Sequence, residues 1–509
     1  MASRRDELNA YTFAKRRLVA QFLQPHPSGS EEGAPRPLRA VVPGAIVGVV
    51  VLAVFGAWGM FKPVAPQKWD TPYENVIIAS KSTTRYVVLV TDGKKQLHPV
   101  LNMSSAKLLL APDKGTVVNV DESVLDGGKI PHGATIGIPY APDRLPDAKE
   151  AGSTKRWAVC ERPGEGGRAI QKAAFVFAER EQQKTEGTGK LRGGEVTYVE
   201  GPGPDKTRYI VDATGTAYPV EKDELLLRAL FDRNAPQRVS ADWLATLHKG
   251  DAVNFPTIEG SPGDAAGVPG VLQDEDNRVG MVLAATAGTR TQQYVVLPGR
   301  VAPVSDFVAK LLLNSRALVG LDQDGKTKHV SAGAFKPGAA FGQKWNWPTS
   351  ESKAVNSAST ASGSRNTVCN VLRGVSDKGG ASTLSTWAGT SFPATLPTGS
   401  SSAYVTPGSG QLFRQFKGAS PESGPLFLVT DTGLRYAMQS NGDSVEDDSG
   451  IGESGTKEER EQSQQEAQQA QNHLGYKDVE PAPVPAVWSA FLPTGPRLST
   501  GAARQPQGS

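Results

Sequence analysis

Residues 86–110, YVVLVTDGKKQLHPVLNMSSAKLLL, contain the pattern that decides the fold of this chain. An apolar strand leads through an Asp-Gly turn to a second strand with a Pro-Val step, and the stretch ends in the helix-forming run Ala-Lys-Leu-Leu-Leu. Residues 294–313, YVVLPGRVAPVSDFVAKLLL, keep the same order and the same ending. Repetition of this kind is typical of structural units that are too small to bury their apolar faces alone.

Two further segments extend the pattern. Residues 208–230, RYIVDATGTAYPVEKDELLLRAL, keep an Asp seven residues before the Pro, and residues 426–440, LFLVTDTGLRYAMQS, keep the strand, the turn and the second strand. Downstream of these two copies, Val239 precedes Trp243 by four residues, as Val484 precedes Trp488. The sequence therefore predicts four copies of one β-turn-β-helix unit, packed on each other or on a common core.

Residues 41–61 interrupt this pattern with 21 residues that carry no charge. As a helix they are about 31 Å long, enough to cross a bilayer core of about 30 Å. Basic residues are frequent in the 40 residues before this segment and sparse directly after it, which predicts a cytoplasmic N-terminus. The chain is thus expected to be a single-pass membrane protein with an extracytoplasmic α+β body. Gly44 and Gly48 form a G-x-x-x-G pair that permits close helix packing in the span.

The N-terminal segment predicts an amphipathic helix, with Leu8, Tyr11, Leu18 and Phe22 on one face and the basic residues largely on the other. One interpretation is a helix that lies on anionic lipid. The other is a helix that binds a cytoplasmic protein partner, and both can hold together. The candidate partner-docking residues are Arg4, Arg5, Tyr11, Lys15, Arg16 and Arg17.

The chain has two cysteines, Cys160 and Cys369, each in a short apolar stretch that reads as a strand. An even pair in an oxidising compartment is most simply a disulfide. A thiol redox pair or half of a metal site are the alternatives, and neither a C-x-x-C spacing nor a nearby histidine cluster supports them.

The segments around the cysteines predict a central β domain that interrupts the series of repeats. Residues 181–189 read as a mobile loop, and residues 441–475 read as an acidic and Gln-rich insertion whose second half is a solvated helix. The expected organisation is a cytoplasmic helix (1–24), a linker (25–40), the span (41–61), repeat 1 (62–150), a first central segment (151–200), repeat 2 (201–260), repeat 3 (261–335), a second central segment (336–418), repeat 4 (419–498) and a disordered tail (499–509).

The sequence offers little catalytic chemistry. Basic and acidic groups number 55 and 52, a balance that argues against a nucleic-acid partner. No H-E-x-x-H or G-x-S-x-G motif is present, and Asp92, Asp212 and Asp431 recur at equivalent turns, where their side chains are expected to bond their own backbone. Residues 320–327, GLDQDGKT, match the P-loop pattern, but two acidic residues and the absence of a following helical pattern favour a hairpin. No cofactor or metal is expected, and ATP is a minor alternative.

The leader SRRDELNAYTFAKRRLVAQFLQ and the C-terminal segment VPAVWSAFLPTGPRLS resemble the EccB family of the type VII (ESX) secretion system of actinobacteria, over essentially the full length. The acidic insertion departs from that pattern. The resemblance implies four repeat domains around a central β domain closed by a disulfide, and Cys160 and Cys369 are the matching positions. It also implies a membrane complex with EccC-, EccD- and EccE-like subunits, self-association and proximity to a mycosin protease.

Three functional hypotheses follow. The leading one is a structural assembly component that organises the extracytoplasmic side of a type VII secretion complex. The second is a membrane-tethered cell-wall-binding module, because repeat domains of the family have been likened to modules that bind peptidoglycan. The third is an ATP hydrolase, because family members are described as ATPases.

Overall fold

A β-hairpin followed by a capped helix recurs along the chain in the computed structural model. This structure describes residues 3–23, 37–61, 65–164, 169–397, 402–438, 465 and 467–507. Contacts divide the chain into two units, one with residues 1–69, 79–82 and 119–129 and the other with residues 70–78, 83–118 and 130–509. The helices are α1 Arg4–Leu23, α2 Pro37–Phe61, α3 Met103–Leu109, α4 Glu122–Leu125, α5 Ala148–Gly152, α6 Glu224–Phe231, α7 Ala241–Ala245, α8 Asp306–Leu313, α9 467–473, α10 Ala486–Ser489 and α11 Thr500–Ala503, with 3-10 helices at Glu179–Thr185 and Arg316–Leu321.

The strands form five sheets. In chain order they are β1 Asn75–Ala79, β2 Arg85–Thr91, β3 Lys94–Val100, β4 Thr116–Val120, β5 Arg156–Arg162, β6 Gln171–Phe177, β7 Glu195–Glu200, β8 Arg208–Val211, β9 Thr216–Val220, β10 Gln237–Arg238, β11 His248–Lys249, β12 Val282–Ala287, β13 Arg290–Leu297, β14 Arg300–Val304, β15 Lys328–Val330, β16 Lys353–Ala354, β17 Thr367–Val375, β18 Ser382–Gly389, β19 Ala403–Val405, β20 Gly410–Phe416, β21 Leu426–Thr430, β22 Arg435–Ala437 and β23 Ala482–Pro485.

Four of the sheets share one strand order. The orders are β3-β2-β1-β4, β14-β13-β12-β15 and β22-β21-β20-β23, and the sheet that contains β9-β8-β7-β10 adds β11 and β16 at its edges. In each sheet the first three strands in sequence form a meander, and the fourth strand returns to pair beside the first. The segments that repeat in sequence thus lie in four different sheets of equivalent topology.

The three hairpins with a Pro-Val step also share their register. Tyr86 pairs with Pro99, and the equivalent pairs are Tyr209 with Pro219 and Tyr294 with Pro303. Each hairpin leads into a helix with an N-cap side chain that accepts a backbone N–H bond, which satisfies an otherwise orphan donor. The capping residues are Asn102, Asp223 and Ser305.

The fifth sheet, in the order β18-β17-β5-β6-β19, is assembled from segments far apart in the chain. Its first four strands are antiparallel neighbours, and β19 is parallel to β6. Buried apolar side chains of this central sheet share one core with side chains of the β7 and β20 sheets. A second core joins the β1 and β20 sheets, and a third joins the β7 and β12 sheets.

Two strands inside the predicted central segments pair in other sheets than the central one. Strand β7 falls within the predicted first central segment (151–200) and β20 within the second central segment (336–418), yet each is the first strand of its own four-strand meander. The second and third strands of these sheets, such as β2 and β3, form the hairpin with the recognisable turn and Pro-Val step. The first strand of each sheet is an apolar run without a distinguishing sequence motif. Sequence alone therefore assigned these strands to the neighbouring β domain.

The end of the chain is more ordered than the sequence predicted. Residues 499–509 were expected to be disordered, but α11 lies there, Ala503 is fully buried and Gln507 donates a backbone bond to Thr135 at 2.8 Å. Helix α9 lies inside the predicted solvated insertion, yet Ala470 is fully buried in the core between the β1 and β20 sheets. Ala467 and Ala470 lie three residues apart and form a narrow apolar stripe on an otherwise polar helix. The other residues of the insertion up to 464 lie outside the described part of the chain.

Candidate functional site

Helix α2 is a candidate membrane span. Within it, residues Ala40–Gly59 have a mean hydropathy of 2.5, and none of that window is buried inside the protein. The helix begins at Pro37, four residues before the predicted span, since proline is well tolerated in a first helical turn. Gly44 and Gly48 lie one turn apart on the same face, and a Cβ at either position would meet nothing within 4 Å. Packing of another helix against these glycines stays a prediction.

Helix α1 holds every candidate docking residue of the leader in an exposed position. The separation into an apolar and a basic face is weaker than predicted. Arg4 precedes Leu8 by four residues and Lys15 precedes Leu18 by three, so these two basic residues lie on the apolar side. Arg5, Arg16 and Arg17 lie away from it. The helix thus presents mixed apolar and cationic surface all round, and its docking role stays a prediction.

The disulfide between Cys160 and Cys369 is confirmed. The two residues are direct partners in the register of β5 and β17, two adjacent inner strands of the central sheet, and both are fully buried. The described residues contain no free cysteine and no cluster of His, Cys, Asp or Glu that could hold a metal ion. The bond fastens the two halves of the central domain at the point where they meet.

The two Val-x-x-x-Trp motifs converge on this sheet. Trp243 and Trp488 are almost completely buried in one core, with Trp157 of β5. Both motifs consist of a short strand followed by a short helix that carries the Trp, at β10-α7 and at β23-α10. The Trp243 indole N–H donates to the carbonyl of Val159 on β5 at 3.2 Å. The shared spacing in sequence therefore corresponds to equivalent anchors for two different sheets.

A buried carboxylate strengthens the anchor at α7. Glu161 on β5 is fully buried, and it accepts bonds from the backbone N–H and the hydroxyl of Ser240 at 2.8 and 2.5 Å. Burial raises the pKa of Glu161, although both bonds from Ser240 act in the opposite direction. Ser240 is also the N-cap of α7. Glu161 thus fixes the start of the helix that carries Trp243.

A cluster of ion pairs fixes residues 181–189, which the sequence predicts to be a mobile loop. Glu186 follows the 3-10 helix Glu179–Thr185 and accepts from Arg156 of β5 at 2.7 Å and from Arg373 of β17 at 2.5 Å. Burial opposes ionisation of Glu186, but bonds from Arg373 and Lys190 outweigh it and lower its pKa to about 2. The residues that form this cluster are too distant in sequence to reveal one another, so sequence reasoning missed it.

The GLDQDGKT match is not a P-loop in this fold. Residues 316–321 form a 3-10 helix, and β15 follows the turn directly, so no helix follows at whose N-terminus phosphate could bind. The predicted hairpin is also wrong. Asp322 and Asp324 adopt positive φ angles in the turn, and β15 pairs in parallel with β12 and not with the preceding segment.

The recurring turn aspartates use three different arrangements. Asp212 accepts backbone N–H bonds from Thr214 and Thr216, both at 2.9 Å, which confirms its predicted role. Asp92 instead takes a positive φ of 51°, which suits the two-residue hairpin between β2 and β3. Asp431 accepts from the backbone N–H of Gly408 at 2.8 Å, so it joins two segments. The contacts of Asp212 and Asp431 and the backbone conformation of Asp92 give all three aspartates structural roles.

Comparisons with known proteins agree with this architecture. The family model described as "Type VII secretion system ESX-1, transport TM domain B" matches residues 1–508. The "ESX-3 secretion system ATPase EccB3" of Mycolicibacterium smegmatis (strain ATCC 700084 / mc(2)155) is 26% identical over 502 residues, which cover 91% of this chain and 83% of the relative. The protein of the same name from Mycobacterium tuberculosis (strain ATCC 25618 / H37Rv) is 25% identical, covering 91% and 81%.

Two solved structures share the fold. A chain in the structure of an intact ESX-5 inner membrane complex has a TM-score of 0.55 at 19% identity, covering 100% of this chain and 96% of that one. A chain of the EccB3 dimer from the ESX-3 core complex has a TM-score of 0.53 at 24% identity, covering 84% and 99%. The family model covers almost every residue, from the leader through the candidate span to the last helix. This chain therefore belongs to the EccB family of the type VII secretion system.

Proposed function

We propose that this chain is a structural component of a type VII secretion complex in the cytoplasmic membrane, where it organises the extracytoplasmic side. The observation that carries the proposal is the combination of one exposed apolar helix, long enough to span a bilayer, with a body whose five sheets share buried cores and one disulfide. Such a body suits a scaffold, because it keeps distant surfaces in a fixed arrangement. Membership of the EccB family supports the same role.

The proposed topology places the N-terminus in the cytoplasm and the body outside. The excess of basic residues before α2 supports this orientation. The buried disulfide supports it independently, because such bonds persist in oxidising compartments.

We further propose that the body consists of four repeat domains around the central disulfide-closed sheet. The common strand order of the four sheets supports this division. The Tyr-Pro register shared by three of the hairpins supports it too, since unrelated hairpins have no reason to place the same pair at the same position.

The proposed partners are EccC-, EccD- and EccE-like membrane subunits, a mycosin protease and further copies of this chain. Helix α1 is the proposed docking element for the cytoplasmic partners, because its apolar and cationic side chains are exposed around the whole helix. The solved relatives belong to an inner membrane complex and to a dimer by their descriptions, which supports assembly of this chain as well.

The test is affinity purification of the tagged full-length chain from gently solubilised membranes, with mass spectrometry and sizing. We expect a large assembly that contains multi-span subunits and an ATPase motor. The variant Arg16→Glu/Arg17→Glu is expected to stay in the membrane fraction and to lose these partners, while the control Arg16→Lys/Arg17→Lys keeps them. Normal co-purification of the Glu variant would refute docking through α1. Recovery of the wild type alone, or with cell-wall fragments, would refute the assembly role and favour a tethered wall-binding module.

ATP hydrolysis is a second candidate, favoured by the names of the relatives. Lys326 is the residue to test, because it occupies the lysine position of the GLDQDGKT match. Purified full-length protein and its Lys326→Ala variant would be compared for release of phosphate from ATP. Hydrolysis that disappears in the variant would establish an active site in this region, and absence of turnover in the wild type would exclude this activity.

A further inference from the structure

Two adjoining clefts form a groove beside α8. One has a volume of about 550 Å³ and the other about 580 Å³, within the range of natural ligand sites. Lys310 of α8 and Glu351 line both clefts, and their side chains form an ion pair with an N–O distance of 2.8 Å. The pair lies at the junction, so the two clefts are parts of one groove that passes from the β12 sheet to the C-terminal end of α6.

The remaining charges of the groove are spread along it with a cationic excess. Lys326 lines the first cleft, and Arg228 and Lys353 line the second. Within the described part of the chain, none of these three side chains has a hydrogen-bond or ion-pair partner. Each cleft also has one acidic residue without such a partner, Asp306 in the first and Asp232 in the second. Three unpaired cations against two unpaired acids favour an anionic ligand, and their separation favours a long one.

Each cleft is also lined by a residue whose side chain has a polar atom that is buried without a protein partner. These atoms are the side-chain carbonyl oxygen of Gln293 in the first cleft and the hydroxyl of Ser352 in the second, and Ser352 is only 3% exposed. Leaving such a group without a hydrogen bond is unfavourable, because its lost hydration is not replaced. The Gln293 oxygen can only accept a hydrogen bond, so it matches a ligand that donates one. A ligand with N–H groups at both ends of the groove would satisfy both atoms.

The edge of the second cleft has the backbone geometry of an unpaired strand. Lys353 and Val355 donate their backbone N–H groups to Gly194 and Val196 at 2.8 and 3.0 Å. Because successive peptide groups of an extended strand alternate in direction, the amide and carbonyl of Ala354 point away from β7. Ala354 lines the second cleft, so an extended peptide could pair with it there.

We propose that this groove binds an extended acidic peptide segment of a partner protein. The peptide's carboxylates pair with Lys326, Lys353 and Arg228, and its backbone N–H groups satisfy Gln293 and Ser352. This binding role goes beyond the scaffold function and is independent of it. Co-purification of the secretion complex can fail while the purified chain still binds peptide, and the reverse also holds.

The experiment measures fluorescence anisotropy of labelled 12-residue peptides with purified full-length chain in detergent at low salt. One peptide alternates Glu and Ser, and the other replaces each Glu by Lys. The Glu peptide is expected to bind at least about tenfold more tightly than the Lys peptide. The variant Lys326→Glu/Lys353→Glu is expected to lose about tenfold in affinity for the Glu peptide, since it removes two of the exposed ion pairs with the peptide's carboxylates. Lys378→Glu, an exposed substitution outside the groove, is the matched control and should bind like the wild type.

Two competitors separate the peptide from other anions. A Glu peptide with alternate backbone nitrogens methylated keeps its charge but loses half of its N–H donors, and it should bind more weakly. Inorganic phosphate should displace the peptide no better than sodium chloride of equal ionic strength. Equal binding of the Glu and Lys peptides, or unchanged binding by the double variant, would overturn the proposal. Specific displacement by phosphate would overturn it in favour of a small-anion site.

Discussion

The variant Cys160→Ala/Cys369→Ala tests how much the disulfide stabilises the central sheet. The two residues are separated by 209 positions, and a cross-link over a loop of that length restricts the unfolded chain by about 5 kcal/mol in the chain-entropy model. Native disulfides typically contribute about 2–5 kcal/mol, so we expect a loss of that size in the free energy of unfolding. Because both positions are fully buried, Ala also loses the packing of each sulfur.

Urea unfolding followed by tryptophan fluorescence provides the assay. Trp157 and Trp387 both lie in the central sheet, and Trp387 is the register partner of Cys369 on the neighbouring strand. Linear extrapolation of the transition gives the free energy of unfolding. Reductant should bring the wild type close to the variant and leave the variant unchanged. A difference below about 1 kcal/mol, or an equal response of both proteins to reductant, would refute this role of the disulfide.

Three further predictions concern the packing of the body. Trp488→Ala removes a side chain that is 1% exposed, so the free energy of unfolding in urea should fall by about 3–5 kcal/mol, and a fall below about 1 kcal/mol would contradict its role as an anchor. Glu186→Gln weakens the bond from Arg373, and the depressed pKa of about 2 means that the stabilisation by Glu186 is complete above its ordinary pKa of 4.5 and fades as pH falls toward 2. The difference in Tm between wild type and this variant should therefore shrink between pH 5 and pH 2, and a constant difference would contradict it. Truncation after Ser499 removes the fully buried Ala503 and should lower the urea midpoint, whereas an unchanged midpoint would show that the tail adds nothing to stability.

The repeated hairpins could be predicted from sequence because their features are local. A turn, a Pro-Val step and an apolar helix lie within about 25 residues, and the copies support one another. The Val-x-x-x-Trp spacing is equally local, and it correctly predicted that Trp243 and Trp488 occupy equivalent positions in two repeats of the pattern. The cysteine pairing followed from the count of two and the expected compartment, so it did not need any knowledge of the register between β5 and β17.

The missing features depend on contacts between distant residues. Glu186 and Arg373 are 187 positions apart, and neither position differs in sequence from an ordinary exposed charge. Gln507 donates its backbone N–H to the carbonyl of Thr135 and its side-chain amide to the carbonyl of Gly137, and neither acceptor leaves a trace in the side-chain pattern because both are main-chain atoms. The charged groove likewise depends on the return of residues 351–354 to the ends of α6 and α8. Contacts between residues so far apart in sequence form only when the whole body folds, so no local pattern predicts them.

The central sheet also imposes an order on synthesis. Its middle strand β5 pairs with β17, which comes much later in the chain, so the sheet has only two of its five strands when the ribosome has completed residue 200. Until β17 and β18 emerge, β5 presents an unpaired apolar edge, a surface that invites mispairing with other chains. The three-strand meanders of the β7 and β12 sheets are complete before β17 is synthesised, so these sheets can fold first. Formation of the disulfide is consequently a late event in maturation, which makes oxidation a checkpoint for chains whose second half has arrived and paired correctly.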